Sequence, residues 1–455
     1  MENYVNFINK KFEDYFLDYI KKKNIHPIIE DLYKDVLEFG KAGNNYYDNS
    51  NKKIKINISK LKKLEKYKIK LSKRKIISLK MIKDKFFKDN NYYNFNINNE
   101  KLEEIAKYFQ NSYMPGTIKK LSDHKYESDK VNVVIYGSGP VGLFIALYIN
   151  QYYNYKNLSK KKKWNILLID NRTDKDGYRF NYSRTRQFAI GSSFFSFVIQ
   201  KLYCNIDYGI LINRLEYLLY MYLLDHKFYT DSLKETDNAN INLYFSSKNV
   251  DLHEIKADII FDCTGGRMNP KIWSNEDMKG FIPEDMLTYK DSEFTLRKDI
   301  NKYIWDSDIY PFKNYLVMND LSNVGYYSLR NQKILDETKK IINKYGSTID
   351  YKTMIQIIED YKDNKNKKIE LLIKYMYHNF IENKSYALSV DIFSVYIQHA
   401  IKISKIIKVK DDHRAIYIGA GDTIYHSHFA NGAGLNKSID FSVMCINSLE
   451  YFFNK

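Results

Sequence analysis

The sequence predicts an α/β fold: a parallel sheet of buried strands with packed helices, an interleaved α+β region, and a helical, basic extension ahead of both. Three observations predict it. From Val131 onward, short β-branched and aliphatic runs alternate with an apolar helical stretch. A G-x-G-x-x-G spacing (Gly137, Gly139, Gly142) falls where the first run gives way to that stretch. A chain with only 18 glycines then places four of them between Gly419 and Asn436, after another apolar run. Strands of a parallel sheet are covered on both faces, so they read as unbroken apolar runs rather than alternating ones.

Residues 1–125 read as helical. Phe7, Ile8, Phe12, Tyr15, Phe16, Tyr19 and Ile20 recur at helical spacing, with lysines and acids on the other face. A second helix fits IIEDLYKDVLEFG, stopped by Gly40, and NNYYDNSN reads as a loop. Residues 126–270 follow as the first part of a nucleotide-binding domain. Its strands are VNVVIYG, WNILLID, INLYF and DIIFDCTG, and VGLFIALYINQYY is the helix after the first. Residues 271–410 mix strand-like and helical stretches and form the middle, substrate-binding region. AIYIGAGD returns the chain to the sheet, so residues 411–455 complete the first domain.

The glycine spacing carries a specific chemistry. Gly137 permits a tight turn, Gly139 lets a pyrophosphate approach the backbone, and Gly142 lets helix pack on strand. The helix N-terminus offers N–H groups and a partial positive charge to the phosphates, with Ser138, Pro140 and Val141 completing the loop. Asp170 ends the next strand, where an acid accepts a ribose hydroxyl, and Arg172 lies just beyond it. The interval from Gly142 to Asp170 exceeds the usual spacing because NYKNLSKKKKW is inserted on the surface.

The chain resembles the class A flavoprotein monooxygenases, of the para-hydroxybenzoate hydroxylase-like fold, with local similarity to MICAL flavin domains. That family closes its flavin site with a late G-D-x(9)-G-x-G-x-N motif, reproduced here by Gly421, Asp422, Gly432, Gly434 and Asn436. The resemblance implies a Rossmann-like FAD-binding domain in which the two glycine clusters converge on one FAD. It implies that Asp422 takes a ribityl hydroxyl and that Gly432, Ala433, Gly434, Leu435 and Asn436 lie beside the isoalloxazine. ADIIFDCTGGR occupies the place of the family's middle strand, with Thr264 where Asp is common and Gly265 retained. YSRTRQFAIG resembles the arginine-bearing segment, so Arg184 or Arg186 would face FAD phosphates, and GILINRLEYLL adds Arg214. Tyr425 stands where the late motif usually carries histidine and Phe429 where it carries proline, so His426, His428 and Tyr425 are candidate proton-handling groups from position alone.

By resemblance, NAD(P)H reduces the flavin, O₂ reacts with it, and one oxygen atom passes to an unknown substrate. The middle region has no second G-x-G-x-x-G, which fits a transient NAD(P)H better than a second dinucleotide domain. A non-hydroxylating flavoenzyme of the same fold (reductase, oxidase or cyclase) is the alternative. A further one is a flavin-fold binding protein that grips nucleic acid or membrane. That reading rests on Lys52–Lys85, where 15 Lys/Arg face two acids in a chain of net charge +17. Cys204, Cys263 and Cys445 have neither CxxC spacing nor even number, so no disulfide framework or metal site is expected. MENYVNFINKKFEDYF lacks an apolar core, and no 18-residue window is uncharged and apolar. The expectation is therefore a cytoplasmic, reducing setting.

Overall fold

The computed structural model describes residues 1–22, 54–67, 75–87, 97–109, 112–151, 163–180, 187–188, 210–232, 241–265, 286–290, 293–294, 314–319, 324–328, 332–382, 384, 386–394, 398–400, 403–426 and 433–453. The chain forms two compact units. One comprises Met1–Lys22, Lys73–Leu287 and Ile397–Lys455, the other Lys23–Ser72 and Thr288–Tyr396.

The elements that build the first unit's core are α1 (Glu2–Lys22), α2 (Asn99–Phe109), β1 (Val131–Tyr136), α3 (Pro140–Ile149), β2 (Trp164–Asp170), α4 (Ile212–Ser232), β3 (Ile241–Phe245), β4 (Ile259–Asp262), β5 (Ser404–Lys408), β6 (Arg414–Gly419) and α5 (Ala433–Phe453). The strands form one sheet in the order β5-β6-β4-β1-β2-β3, parallel throughout except for the antiparallel edge β5. Every residue of β1 and β2 is buried, which is why both read as mainly apolar runs, broken by the buried Asn132, Asn165 and Asp170. Helix α3 is apolar all round because α4 and α5 both pack on it, and Val141–Ile149 are buried without exception.

The strand order places β2 on one side of β1 and β4 on the other. A sheet whose strand order reverses at this point leaves a crevice beyond the carboxyl ends of β1 and β4. Backbone bonds continue past the strand ends and tie the crevice walls together. Gly137 N donates to Ile169 O (2.7 Å), Cys263 N to Tyr136 O (2.8 Å) and Ala420 N to Asp262 O (2.8 Å).

Residues 1–125 are largely helical where described, apart from the short strands Lys75–Ile76 and Ser112–Met114 and the irregular stretch that follows, and they do not form one extension. Helix α1 belongs to the first unit: Tyr4, Ile8 and Phe12 are buried in its core, and Phe12 packs on Phe441 at 4.8 Å between ring centroids. Residues 54–67 instead contribute Leu61 and Leu64 to the core of the second unit. The apolar spacing of α1 marks a buried face without saying what buries it, hence the expectation of a helical extension. The basic segment is divided too: Lys55, Lys60, Lys62, Lys63 and Lys66 are exposed on the second unit, Lys75, Lys80, Lys83 and Lys85 on the first. The helix expected at IIEDLYKDVLEFG lies outside the described residues.

The second unit has an antiparallel sheet in which Asn314–Asn319 pairs with Val324–Ser328 and with Ala387–Ser394, and the latter pairs with Thr348–Asp350. Helices Tyr351–Asp360 and Lys367–Glu382 supply Met354, Ile357, Leu372, Met376 and Phe380 to its core. Asp350 caps the first of these, its Oδ1 accepting from Thr353 N at 2.7 Å. The larger part of this α+β unit, Thr288–Tyr396, enters the chain between β4 and β5, and the rest, Lys23–Ser72, comes from the N-terminal segment.

One buried acid in α4 gives a pH-dependent expectation. Asp225 is 7% exposed, and its Oδ1 has no hydrogen-bond partner among the described residues. Burial pushes its carboxyl from 3.8 up to about 7. The unfolded chain loses this proton near 4 and the folded chain keeps it until about 7, so stability falls as pH rises through that window. Asp225→Asn is expected to stabilise the protein at pH 8 by on the order of 3 kcal/mol, with no gain at pH 4. Thermal melts of both proteins at both pH values check this, and equal melting temperatures at pH 8 would refute it.

Candidate functional site

A cavity of about 350 Å³ lies at the carboxyl edge of the sheet. Gly137, Gly139, Pro140 and Val141 line one side, Asp170 and Arg172 the next, Thr264 and Gly265 the third, and Gly421, Asp422 and Leu435 close it. The two glycine-rich stretches, far apart in sequence, thus meet in one space.

Two glycines of the loop after β1 do opposite jobs. A Cβ on Gly142 would lie 1.8 Å from the Gly137 carbonyl oxygen, so the loop closes on α3 only because that atom is missing. Among the described residues, a Cβ on Gly139 would meet nothing nearer than Glu216 Oε1 at 4.0 Å. Gly139 is also the N-cap of α3, with no side chain capping the helix and Pro140 following it. An apolar helix therefore opens its N-terminus onto empty space lined by backbone, the arrangement that receives a phosphate.

Beneath the loop lies a cluster of four charges, of which Asp170, Arg179 and Glu216 are buried and Arg172 is half-buried. Asp170 Oδ2 accepts from Ser138 N (2.8 Å) and Ser138 Oγ (2.5 Å), and its Oδ1 accepts from Arg172 N at 2.6 Å. Arg179, fully buried, donates through Nη2 to Glu216 Oε2 (3.0 Å) and through Nε to Asp170 Oδ2 (3.5 Å). Arg172 donates to Glu216 Oε1 and to Asp170 Oδ2, both at 3.4 Å. Burial opposes charge on Asp170, yet the two guanidiniums and the Ser138 bonds outweigh it and hold the carboxyl well below the usual range. Two cations and two anions cancel.

The far wall is laced by Asp262 at the end of β4. Its Oδ1 accepts from Thr264 N (2.9 Å) and Thr264 Oγ1 (2.6 Å), and its Oδ2 accepts from Tyr417 of β6 at 2.5 Å. Gly265 N donates to Thr423 Oγ1 at 3.0 Å, joining the Thr-Gly turn to the late motif. Burial pushes the Asp262 carboxyl up, and its hydrogen bonds pull the other way.

The remaining expected residues are placed as follows. Ser138 and Gly142 are buried under the cavity, and Gly434 and Asn436 lie with Ala433 in the first turn of α5. Tyr425 and His426 form a short strand pairing with Gln398 and His399. Arg214 turns from the cavity and forks onto Glu103 of α2 at 3.2 and 3.4 Å. Arg184, Arg186, His428 and Gly432 lie outside the described residues. Sequence reasoning missed Arg179, Glu216, Lys248 and Asn249. Glu216 has one signal, a lone acid in an apolar helical run (LEYLLYMYLL), while Arg179 has none. Among the described residues no group of three or more His, Cys, Asp or Glu could hold a metal, and no helix is long and apolar enough to cross a membrane.

No protein-family model and no curated protein matches the chain. Solved structures similar to it include an oxygenase acting on 2-methyl-3-hydroxypyridine-5-carboxylic acid (9% identity, 72% of this chain and 85% of that one, TM-score 0.37). Others are the p-nitrophenol 4-monooxygenase PnpA from Pseudomonas putida DLL-E4 (10%, 70% and 80%, TM-score 0.35) and CtdE in complex with FAD (14%, 70% and 84%, TM-score 0.35). At these values the similarity is one of general architecture.

Proposed function

We propose that the cavity binds FAD and that the protein is a flavin-dependent oxidoreductase, in its finer form an NAD(P)H-driven monooxygenase. One observation carries the reading: a capless helix N-terminus and an open glycine, Gly139, face a cavity whose opposite wall is the late glycine motif. The residues present fit the cofactor. The α3 N-terminus and the Gly137–Gly142 loop would take the pyrophosphate. Asp170, Lys248 and Asn249 line the side toward β3 and would face the adenosine half, while Asp422 and Leu435 would face the ribityl chain and the ring. The carboxylates of Asp170 and Glu216 do not repel the phosphates, because Arg172 and Arg179 neutralise them.

When bound, FAD would supply the hydride acceptance and the reaction with O₂ that side chains cannot perform. What the chain contributes is placement: backbone donors for the phosphates, a bare glycine surface for close approach, and apolar walls from Val141, Ile212 and Leu435.

The purified protein is expected to show visible flavin bands, directly or after addition of FAD. NADPH should bleach them and air restore them. Bands that NADPH leaves unchanged would favour a non-hydroxylating flavoenzyme. A protein that takes up no FAD would overturn the assignment.

A further inference from the structure

We infer that Arg179 is a positioning residue that sets the Ser138–Gly139 peptide so that the Gly139 amide is presented to the pyrophosphate. The inference rests on the FAD reading above. Arg179 Nη2 donates to the Ser138 carbonyl oxygen at 2.6 Å, from beneath the loop. In a planar trans peptide the C=O and N–H point in opposite directions. A guanidinium that draws the Ser138 oxygen inward therefore turns the Gly139 N–H outward, on the side where Gly139 lines the cavity. The preceding peptide is held in turn, since Ser138 N donates inward to Asp170. Consecutive peptide planes are thus fixed from below, and one of them aims its donor at the ligand.

The rest of the environment shows why arginine stands here. Its planar fork lets one side chain engage several acceptors at once. Nη2 serves both Ser138 O and Glu216, Nε reaches Asp170, and Nη1 points to Met114 Sδ at 3.1 Å. Glu216 holds the guanidinium from the α4 side, with Arg172 sharing that carboxylate. The guanidinium touches no ligand itself. It acts through the backbone.

Simple removal of Arg179 would strand buried carboxylates, so the test removes charge in balance. In the double variant Arg179→Met with Glu216→Gln, Asp170 and Arg172 remain paired and the cluster stays neutral. It is expected to melt close to the parent yet bind FAD at least about tenfold more weakly, the scale of a lost charge-assisted hydrogen bond. In the protein without cofactor, amide hydrogen exchange across residues 137–143 should be faster. FAD affinity within about twofold of the parent, with loop exchange unchanged, would overturn the inference.

Should the double variant fail to fold, Arg179→Lys keeps a buried cation but loses the fork. It is expected to bind FAD several-fold more weakly, and parental affinity in that variant would overturn the inference equally. A parent that takes up no FAD would sink the cofactor reading and with it the ligand-directed half of this one. Loop exchange in the variants would still decide whether Arg179 sets the peptide.

Discussion

Gly139→Val is expected to give a folded, colourless protein. The added side chain has room, because among the described residues a Cβ at this position meets only Glu216 Oε1, at 4.0 Å. What it fills is the space at the mouth of α3 where a pyrophosphate would sit against backbone. Loss of several charge-assisted bonds there should lower FAD affinity by more than about a thousandfold, at 1.5–3 kcal/mol for each bond. Flavin content after purification and a thermal melt check both halves. A yellow variant would remove the assigned site. Gly142→Ala is the control with the opposite signature, since its Cβ would sit 1.8 Å from the Gly137 oxygen and the fold itself should suffer.

Removal of residues 1–22 is expected to leave an insoluble chain rather than a trimmed, folded protein. Tyr4, Ile8 and Phe12 are at most 1% exposed. Burial of each large apolar side chain contributes about 1.5–3 kcal/mol, so the three together approach the whole stability of a typical domain. The loss is polar as well. Asn9 Oδ1 accepts from Ile403 N and Ser404 N at 2.9 Å, and its Nδ2 donates to Ser404 O at 2.9 Å, covering the start of the edge strand β5. Without α1, that edge would offer unpaired backbone groups to other chains. Phe12→Ala is the graded test, expected to fold but to cost about 3–5 kcal/mol. A soluble, cooperatively melting truncated chain would show that α1 is an appendage.

Much of the first unit was legible because its physics is local. WNILLID and INLYF are strands with the limits expected, since strands covered on both faces are predominantly apolar, with Asn165, Asp170 and Asn242 the buried polar exceptions. The glycine loop was legible because steric need at Gly142 and open space at Gly139 impose a spacing. Other features depend on partners distant in sequence. Arg179 is one more polar residue in DGYRFNYSR until Ser138 and Glu216 close around it. Nothing in α1 announces that its apolar face belongs to β5 and α5. Arg214 illustrates the converse: a helix-start arginine matches a pattern, but Glu103 on a neighbouring helix takes it. Asp170 combines the two, placed by the motif while its oxygens are engaged by Ser138 and Arg172.

The lacing of the two chain ends has a consequence for biosynthesis. Tyr4 donates to the Cys445 carbonyl at 2.9 Å across 441 residues, and Asn9 reaches Ser404 across 395. At about 5–20 residues per second on the ribosome, α1 emerges roughly 20–80 seconds before the strand and helix that cover it. Through that interval Tyr4, Ile8 and Phe12 are exposed to water or to a chaperone, because the sheet they finally cap still lacks β5 and β6. The two walls of the cavity, Gly137–Val141 and Gly421–Asp422, lie about 280 residues apart, a delay of roughly 14–56 seconds at the same rate. FAD capture would therefore wait until the late motif has emerged. Cells that make this protein faster than its ends can meet would accumulate aggregate, and slower translation or cooler growth should raise the soluble yield.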